Sequence, residues 1–230
     1  MTVTQFRVLN IFSGASGKSG APAKEFFMEN TAKMPEKGKK TGTGTIVGIG
    51  LLTAIVIILQ FVSMGLRFGP FSITLTLVPI VVGAALYGWK AGAWLGLVFG
   101  AAVLLTGDAN AFLAINIPGT IITVLVKGAA AGLCAGVVYR LICKKSRIAA
   151  VIAAAVTAPV VNTGVFLIGC SVFFLDTLKE WGAGMGFDNV VAYMFVGLVG
   201  PNIFIELGTN LILNPAIVQI INIGKKKLKK

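Results

Sequence analysis

Residues 75–100, LTLVPIVVGAALYGWKAGAWLGLVFG, form two short apolar segments joined by a Gly88-Trp89-Lys90 turn. A helical hairpin in water would carry polar residues on its outer faces, and these are almost absent here, so the surrounding solvent must itself be apolar. Each arm has about 16 apolar residues, or roughly 24 Å of helix, which is slightly short for a hydrocarbon core of about 30 Å. The stretch therefore predicts a membrane hairpin packed inside a larger bundle.

Small residues recur four positions apart in the second arm of this hairpin, at Gly92, Gly96 and Gly100. Residues with this spacing share one face of a helix, and glycines there let another helix backbone approach closely. We therefore predict that the glycine stripe packs against a neighbouring span.

The whole chain has the composition of an integral membrane protein. Of its 230 residues, 56% are hydrophobic and 12% are charged, and the apolar residues gather in long runs. The formal net charge of +12 comes mainly from tails and short loops beside these runs, which indicates topology signals and contacts to anionic lipid rather than to nucleic acid. The three cysteines lack CxxC spacing and histidine is absent from the sequence, so we predict no enzyme, no cofactor and no metal site.

Six membrane spans account for the apolar sequence. The predicted spans are residues 46–66, 72–86, 91–105, 120–143, 148–174 and 202–222. The fifth is longer than the usual 20 or so residues, which predicts a tilt or a kink near Pro159. In the last apolar run, Gly200-Pro201 is expected to separate a short outer segment, 190–199, from the sixth span. The polar segments 106–118 and 176–189 are predicted as outer loops.

The distribution of lysine and arginine predicts the orientation of these spans. Seven precede the first span, one lies in the turn between the second and third, four connect the fourth to the fifth, and five follow the sixth. The alternate loops hold only Arg67 and Lys179. Because cytoplasmic flanks carry the positive excess, both termini are expected inside. The predicted fold is an all-α membrane protein, a six-transmembrane-helix bundle with cytoplasmic N- and C-termini.

Three segments follow from this organisation. Residues 1–42 are predicted to be a disordered cytoplasmic tail, 43–224 the six-helix transmembrane domain, and 225–230 a basic cytoplasmic tail. The first tail contains GASGKS at 14–19, which is half of a phosphate-binding loop, but Phe12 stands where the first glycine is required, and nucleotide binding is not expected. The natural start is either Met1 or Met28.

Two ionisable side chains remain within the spans, Lys127 in the fourth and Glu206 in the sixth. A charge placed there costs on the order of 3 kcal/mol or more, so each needs a partner, a polar cavity or a ligand. Counted from the outer ends of their spans, their depths differ by only about 5 Å. They form a structural ion pair or contact a ligand directly, and both roles are compatible if the pair lines a pocket.

Amide side chains cluster in the same outer half of the bundle, and Gln60 lies in the outer part of the first span. Hydrogen bonding between helices explains any one of them, but together with Lys127 and Glu206 they predict a polar cavity that is open to the outside and binds a small polar solute. The residues predicted to bind it are Arg67, Asn116, Lys127, Asn162, Asn202, Glu206 and Asn210.

The chain resembles the substrate-binding S component of an energy-coupling factor (ECF) vitamin transporter over about residues 45–222. The resemblance rests on six spans with both ends inside and on three sequence motifs. These motifs are LVPIVVGAALYGWKAG at 77–92, LGLVFG at 95–100 and PVVNTGVF at 159–166.

The resemblance implies a high-affinity vitamin-binding subunit of the bacterial cytoplasmic membrane, in contact with membrane lipids, whose pocket is capped by outer loops. Its implied partners are a transmembrane scaffold subunit and two cytoplasmic ATPases. In the family, small residues four apart on the first span contact the scaffold, and the matching positions are Gly50 and Ala54, with glycine in place of the usual alanine.

Two features of the sequence bear on the identity of the solute. The segment FSIT at 71–74 lacks the acidic residues usual in riboflavin-type members, whereas Arg67 and Lys127 favour an anionic vitamin such as pantothenate or a folate. Neutralisation of Lys127 by Glu206 would remove that preference. The alternative is a stand-alone small secondary transporter or channel, which inverted repeats or a continuous polar path would favour.

Overall fold

The structure is a computed structural model that describes residues 42–65, 67–68, 71–72, 75–213, 217–221 and 223–224. The predicted tails, 1–42 apart from Gly42 and 225–230, lie outside the described residues. In chain order the helices are α1 (Thr43–Gly65), α2 (Leu77–Tyr87), α3 (Trp89–Leu105), α4 (Asn110–Leu113), α5 (Ile117–Ile142), α6 (Arg147–Phe173), α7 (Leu175–Gly184), α8 (Val190–Ala192) and α9 (Gly200–Ile212).

Two further elements connect these helices. The two-residue strands β1 (Arg67–Phe68) and β2 (Phe71–Ser72) pair antiparallel between α1 and α2. The π-helical segment Tyr193–Leu198 joins α8 to the start of α9. Apart from this single short hairpin, the regular structure of the described residues is helical.

The chain is an all-α membrane protein, as the sequence predicts. Four stretches are long and apolar enough to cross a membrane, namely Thr43–Ser63, Ile117–Ile142, Arg147–Phe173 and Val190–Ile212. The arms of the hairpin, α2 and α3, are apolar but shorter. The count of six spans and the cytoplasmic position of both termini stay predictions.

The hairpin of α2 and α3 turns at a single glycine. Gly88 has a φ of +93°, a backbone conformation that suits glycine, and it both ends α2 and begins α3. Pro79 lies in the first turn of α2, where its missing N–H removes no helical hydrogen bond. The first arm starts at Leu77 rather than at Ser72, because Ser72 belongs to β2.

The glycine stripe of α3 packs against the backbone of α5, which confirms its predicted role. A Cβ at Gly92 would overlap the carbonyl oxygen of Gly132, and a Cβ at Gly96 would overlap that of Gly128. At Gly100, a Cβ would lie 2.7 Å from the carbonyl oxygen of Val124. α5 also packs along the length of α6, so it makes extensive contacts with two helices of the bundle.

The polar segment 176–189, predicted as an outer loop, begins with the amphipathic helix α7. Its Leu178 is fully buried, whereas Asp176 and Lys179 are exposed. The Lys179 ammonium donates a hydrogen bond of 2.8 Å to Asp176, and this contact holds the pKa of that carboxyl below its ordinary value. The other predicted loop, 106–118, contains α4 and the first two residues of α5.

The last apolar run is interrupted where the sequence predicts. A bend at Val199 separates the π-helical segment from α9, and Pro201 lies in the first turn of α9. The helix ends at Ile212, and residues 217–221 are helical again. The helix α6 continues through Pro159, and its predicted tilt or kink stays a prediction.

Candidate functional site, a polar cavity within the helix bundle

A cavity of about 290 Å³ lies among α1, α3, α5, α6 and α9, together with the turn that precedes α4. Its volume is at the lower end of the range of roughly 300–1,000 Å³ that is typical of small-molecule sites. Its polar lining consists of Gln60, Asp108, Thr120, Thr123, Lys127, Asn162, Thr163, Asn202 and Glu206. Such a lining inside an apolar helix bundle marks a place for a polar molecule rather than for lipid.

Lys127 and Glu206, the two charged residues that the sequence predicts within the spans, both line this cavity. Lys127 lies on α5, and its ammonium nitrogen stands 4.9 Å from the ring centroid of Phe166 on α6. A cation–π contact of this kind contributes roughly 0.5–2 kcal/mol. Glu206 on α9 acts electrostatically on the same ammonium. The structure therefore places both charges at one site.

The inward face of α9 carries three polar residues at four-residue spacing. Glu206 is only 2% exposed, and Asn202 donates a hydrogen bond of 3.3 Å from Nδ2 to its Oε1. Asn210, one turn further, donates 3.1 Å to the carbonyl oxygen of Glu206 and does not line the cavity. Asn202 thus orients the Glu206 carboxylate, while Asn210 supports the backbone beneath it.

Three oxygen atoms at the cavity lack a hydrogen-bond partner among the described residues. They are Oδ1 of Asn162, Oδ1 of Asn202 and Oγ1 of Thr123. All three atoms are themselves buried, so bulk water does not satisfy them. A buried polar atom without a partner costs about 1–3 kcal/mol, and such atoms at a cavity wall indicate where a bound molecule makes hydrogen bonds.

At the α1 side of the cavity, a hydrogen-bond network ties three segments together. Gln60 donates from Nε2 to Asp108 and, at 3.4 Å, to the hydroxyl of Thr106. The hydroxyl of Thr76 donates to Oε1 of Gln60 at 3.3 Å. Since Gln60 is on α1, Thr76 precedes α2 and Asp108 follows α3, this network fixes the turn that forms one wall of the cavity.

We expect Gln60→Leu to lower the stability of the folded chain by about 1–3 kcal/mol, because the polar atoms of Thr76 and Asp108 lose a buried partner. Thermal unfolding in detergent measures the change. Gln219→Leu is the matched control, since Gln219 is exposed on the helical residues 217–221. Equal unfolding midpoints for the two variants would contradict the role of the network.

An aromatic cluster covers the cavity where α4 and α7 meet. Phe112 on α4 makes edge contacts with Phe166, Phe174 and Trp181, at centroid distances of 5.5, 5.1 and 5.6 Å. Phe112, Phe166 and Phe174 also line the cavity. The cavity therefore combines a polar wall on α5, α6 and α9 with an aromatic cover.

The other residues predicted at the site lie elsewhere or have other contacts. Asn116 is the N-cap of α5, accepting a hydrogen bond from the backbone N–H of Gly119 at 3.0 Å, and it does not line the cavity. Arg67 is in β1, and its side chain lies outside the described residues. Gly50 and Ala54 are exposed on α1, away from the cavity.

Sequence reasoning missed the threonines and aromatic residues of the site. Thr123 lies four residues before Lys127, and Phe166 lies four residues after Asn162, so helical spacing from the predicted residues was a signal that could have found both. No comparable local signal points to Phe112, which is in a short helix between α3 and α5. Within the described residues, no group of His, Cys, Asp and Glu side chains could hold a metal ion.

Comparison with known proteins identifies the class to which this fold and site belong. The family described as the substrate-specific component of ECF transporters matches residues 44–218. The chain therefore belongs to the family of substrate-specific ECF transporter components, as its motifs indicate. No curated protein matches the chain in sequence. Members of this family are subunits of membrane transporters rather than enzymes.

Proposed function

We propose that the chain is the high-affinity substrate-binding subunit of an ECF-type importer of a vitamin or related micronutrient. The observation that carries this proposal is the small polar cavity among apolar helices in a chain that belongs to the substrate-specific family. Its buried amide oxygens without a partner among the described residues are costly unless a ligand uses them, and its charged pair offers a ligand polar contacts inside an apolar bundle.

Within this proposal, the substrate is an anionic vitamin such as pantothenate or a folate. Lys127 supplies the positive group in the cavity, and Arg67 is the second basic residue that the sequence predicts for the site. The volume of about 290 Å³ favours pantothenate, because a folate contains three linked moieties and needs a larger pocket.

The proposed partners are a transmembrane scaffold subunit and two cytoplasmic ATPases in the bacterial cytoplasmic membrane. Gly50 and Ala54 would form the scaffold contact. A Cβ at Gly50 meets no atom within 4 Å, and the nearby Val47, Leu51 and Ile58 are exposed. Small residues flanked by exposed apolar ones are suited to the close approach of another membrane helix.

Purification of the tagged chain from a host that carries the scaffold and ATPases tests the proposal directly. We expect both to co-purify, and we expect mass spectrometry of the purified subunit to find a bound vitamin or related micronutrient. A chain that never associates with an ATPase-bearing scaffold and carries no such compound would refute the assignment.

We expect Gly50→Leu to reduce the amount of co-purified scaffold by tenfold or more while leaving substrate affinity nearly unchanged, because the leucine holds the two helices apart. Pull-down yield and ligand titration measure the two effects. Gly44→Leu is the matched control, since Gly44 is also an exposed α1 glycine with open space around it, on another face of the helix. Loss of substrate binding with normal scaffold association would reverse the assignment of this surface.

A further inference from the structure

We propose that the cavity selects a carboxylic acid that also carries hydroxyl or N–H donors. In this arrangement Lys127 binds the carboxylate, and the oxygens of Asn162, Asn202 and Glu206 accept from the donors. The inference rests on the proposed function, because it names the class of substrate that the same cavity takes.

Lys127 and Glu206 place two opposite charges at the same cavity. The two groups act on each other across one small cavity, so a ligand that approaches Lys127 also comes under the influence of Glu206. A simple anion would be attracted by Lys127 and repelled by Glu206, and a simple cation would meet the reverse. A molecule with a carboxylate and a nearby donor satisfies both residues.

The side-chain amide of Asn202 has a defined orientation, which leaves its oxygen as an acceptor for a ligand. Its Nδ2 donates to the Glu206 carboxylate, which has no hydrogen to give, so the assignment of nitrogen and oxygen in this amide follows from the contact. The remaining Oδ1 is an acceptor, is buried, and has no partner among the described residues. On α6, Oδ1 of Asn162 is also buried and has no hydrogen-bond partner among the described residues.

Among the described lining residues, the amide oxygens of Asn162 and Asn202 and the Glu206 carboxylate are acceptors, and Lys127 is the one cation. A ligand that offers only acceptors, as an aromatic carboxylate does, would leave the oxygens of Asn162 and Asn202 buried and unsatisfied. Sites built to pair with a ligand's hydroxyl or N–H reject analogues that lack it by large factors, because the protein groups are then left without partners. The rings of Phe112 and Phe166 provide an apolar surface for the hydrocarbon part of the molecule.

Three compounds separate the two recognition features in the full chain reconstituted in nanodiscs. Pantothenate has the carboxylate and several donors, pantothenol has the donors without the carboxylate, and nicotinate has the carboxylate without donors. By calorimetric titration we expect pantothenate to bind at least tenfold more tightly than either of the others. We also expect Asn162→Leu to weaken pantothenate at least tenfold and to change nicotinate little, with exposed Gln219→Leu as the control.

Each alternative outcome overturns the inference. If pantothenol binds as tightly as pantothenate, the cavity does not recognise the carboxylate. If nicotinate binds as tightly as pantothenate, the cavity does not recognise the donors. If none of the three binds, the substrate class is wrong, while the proposed function is judged separately by the scaffold and by the compound found on the purified subunit. The relative affinities of the wild-type chain for the three compounds test the inference even if Asn162→Leu fails to fold.

Discussion

Replacing Lys127 by methionine is expected to lower the affinity for pantothenate by tenfold or more, which is at least about 1.4 kcal/mol. Methionine keeps an unbranched apolar side chain but removes the ammonium that stands over Phe166, so the carboxylate would face Glu206 without a compensating positive charge. Titration of the variant and of the wild-type chain in nanodiscs gives the ratio of the two dissociation constants.

Lys90→Met is the matched control for this experiment. Lys90 also stands over an aromatic ring, with its ammonium nitrogen 5.5 Å from the centroid of Trp89, but it does not line the cavity. Its replacement is expected to leave affinity within twofold of the wild-type value. If Lys127→Met also keeps its affinity, Lys127 serves only as a structural partner of Glu206 and the expectation of an anionic substrate is wrong.

Gly96→Val is expected to destabilise the bundle by about 3 kcal/mol or more, or to prevent folding. Even a Cβ at this position overlaps the carbonyl oxygen of Gly128, and a backbone atom cannot move aside as a flexible side chain can. The reciprocal overlap at Gly128 shows that α3 and α5 are in backbone contact from both sides. Yield of monodisperse protein and the thermal unfolding midpoint measure the loss.

A second glycine controls for the intrinsic effect of valine in a helix. Gly164 lies within α6, and a Cβ there meets no atom within 4 Å, so Gly164→Val carries the change of helix propensity without an overlap. We expect it to shift the midpoint far less than Gly96→Val. Similar midpoints would mean that α3 and α5 separate easily and that the close packing contributes little.

The fold could be predicted from the sequence to the extent that it depends on local patterns. The hairpin turn at Gly88, the glycine stripe and the break near Pro201 each follow from a few neighbouring residues. The amphipathic helix α7 was missed because its charges resemble those of a loop, although Leu178 and Trp181 are spaced to share a buried face.

At the site, Lys127, Asn162, Asn202 and Glu206 could be selected because polar side chains inside spans are costly and therefore few. The network of Gln60 and Asp108 could not, because those residues are 48 positions apart and nothing local relates them. Asn116 has a contact that the sequence interpretation did not name. An asparagine before a span suits a helix cap as well as a binding site, and its contact with the Gly119 N–H is the cap.

The π-helical segment Tyr193–Leu198 changes which residues of the last apolar run face inward. Phe195 and Glu206 are eleven positions apart, which in a regular α-helix brings them within about 20° of the same side. In the structure Phe195 is 58% exposed and Glu206 is 2% exposed. The π-helical segment and the bend at Val199 therefore change which side of the helical run faces inward. Phe195 before the bend lies on the exposed apolar side, and Glu206 after it faces the cavity.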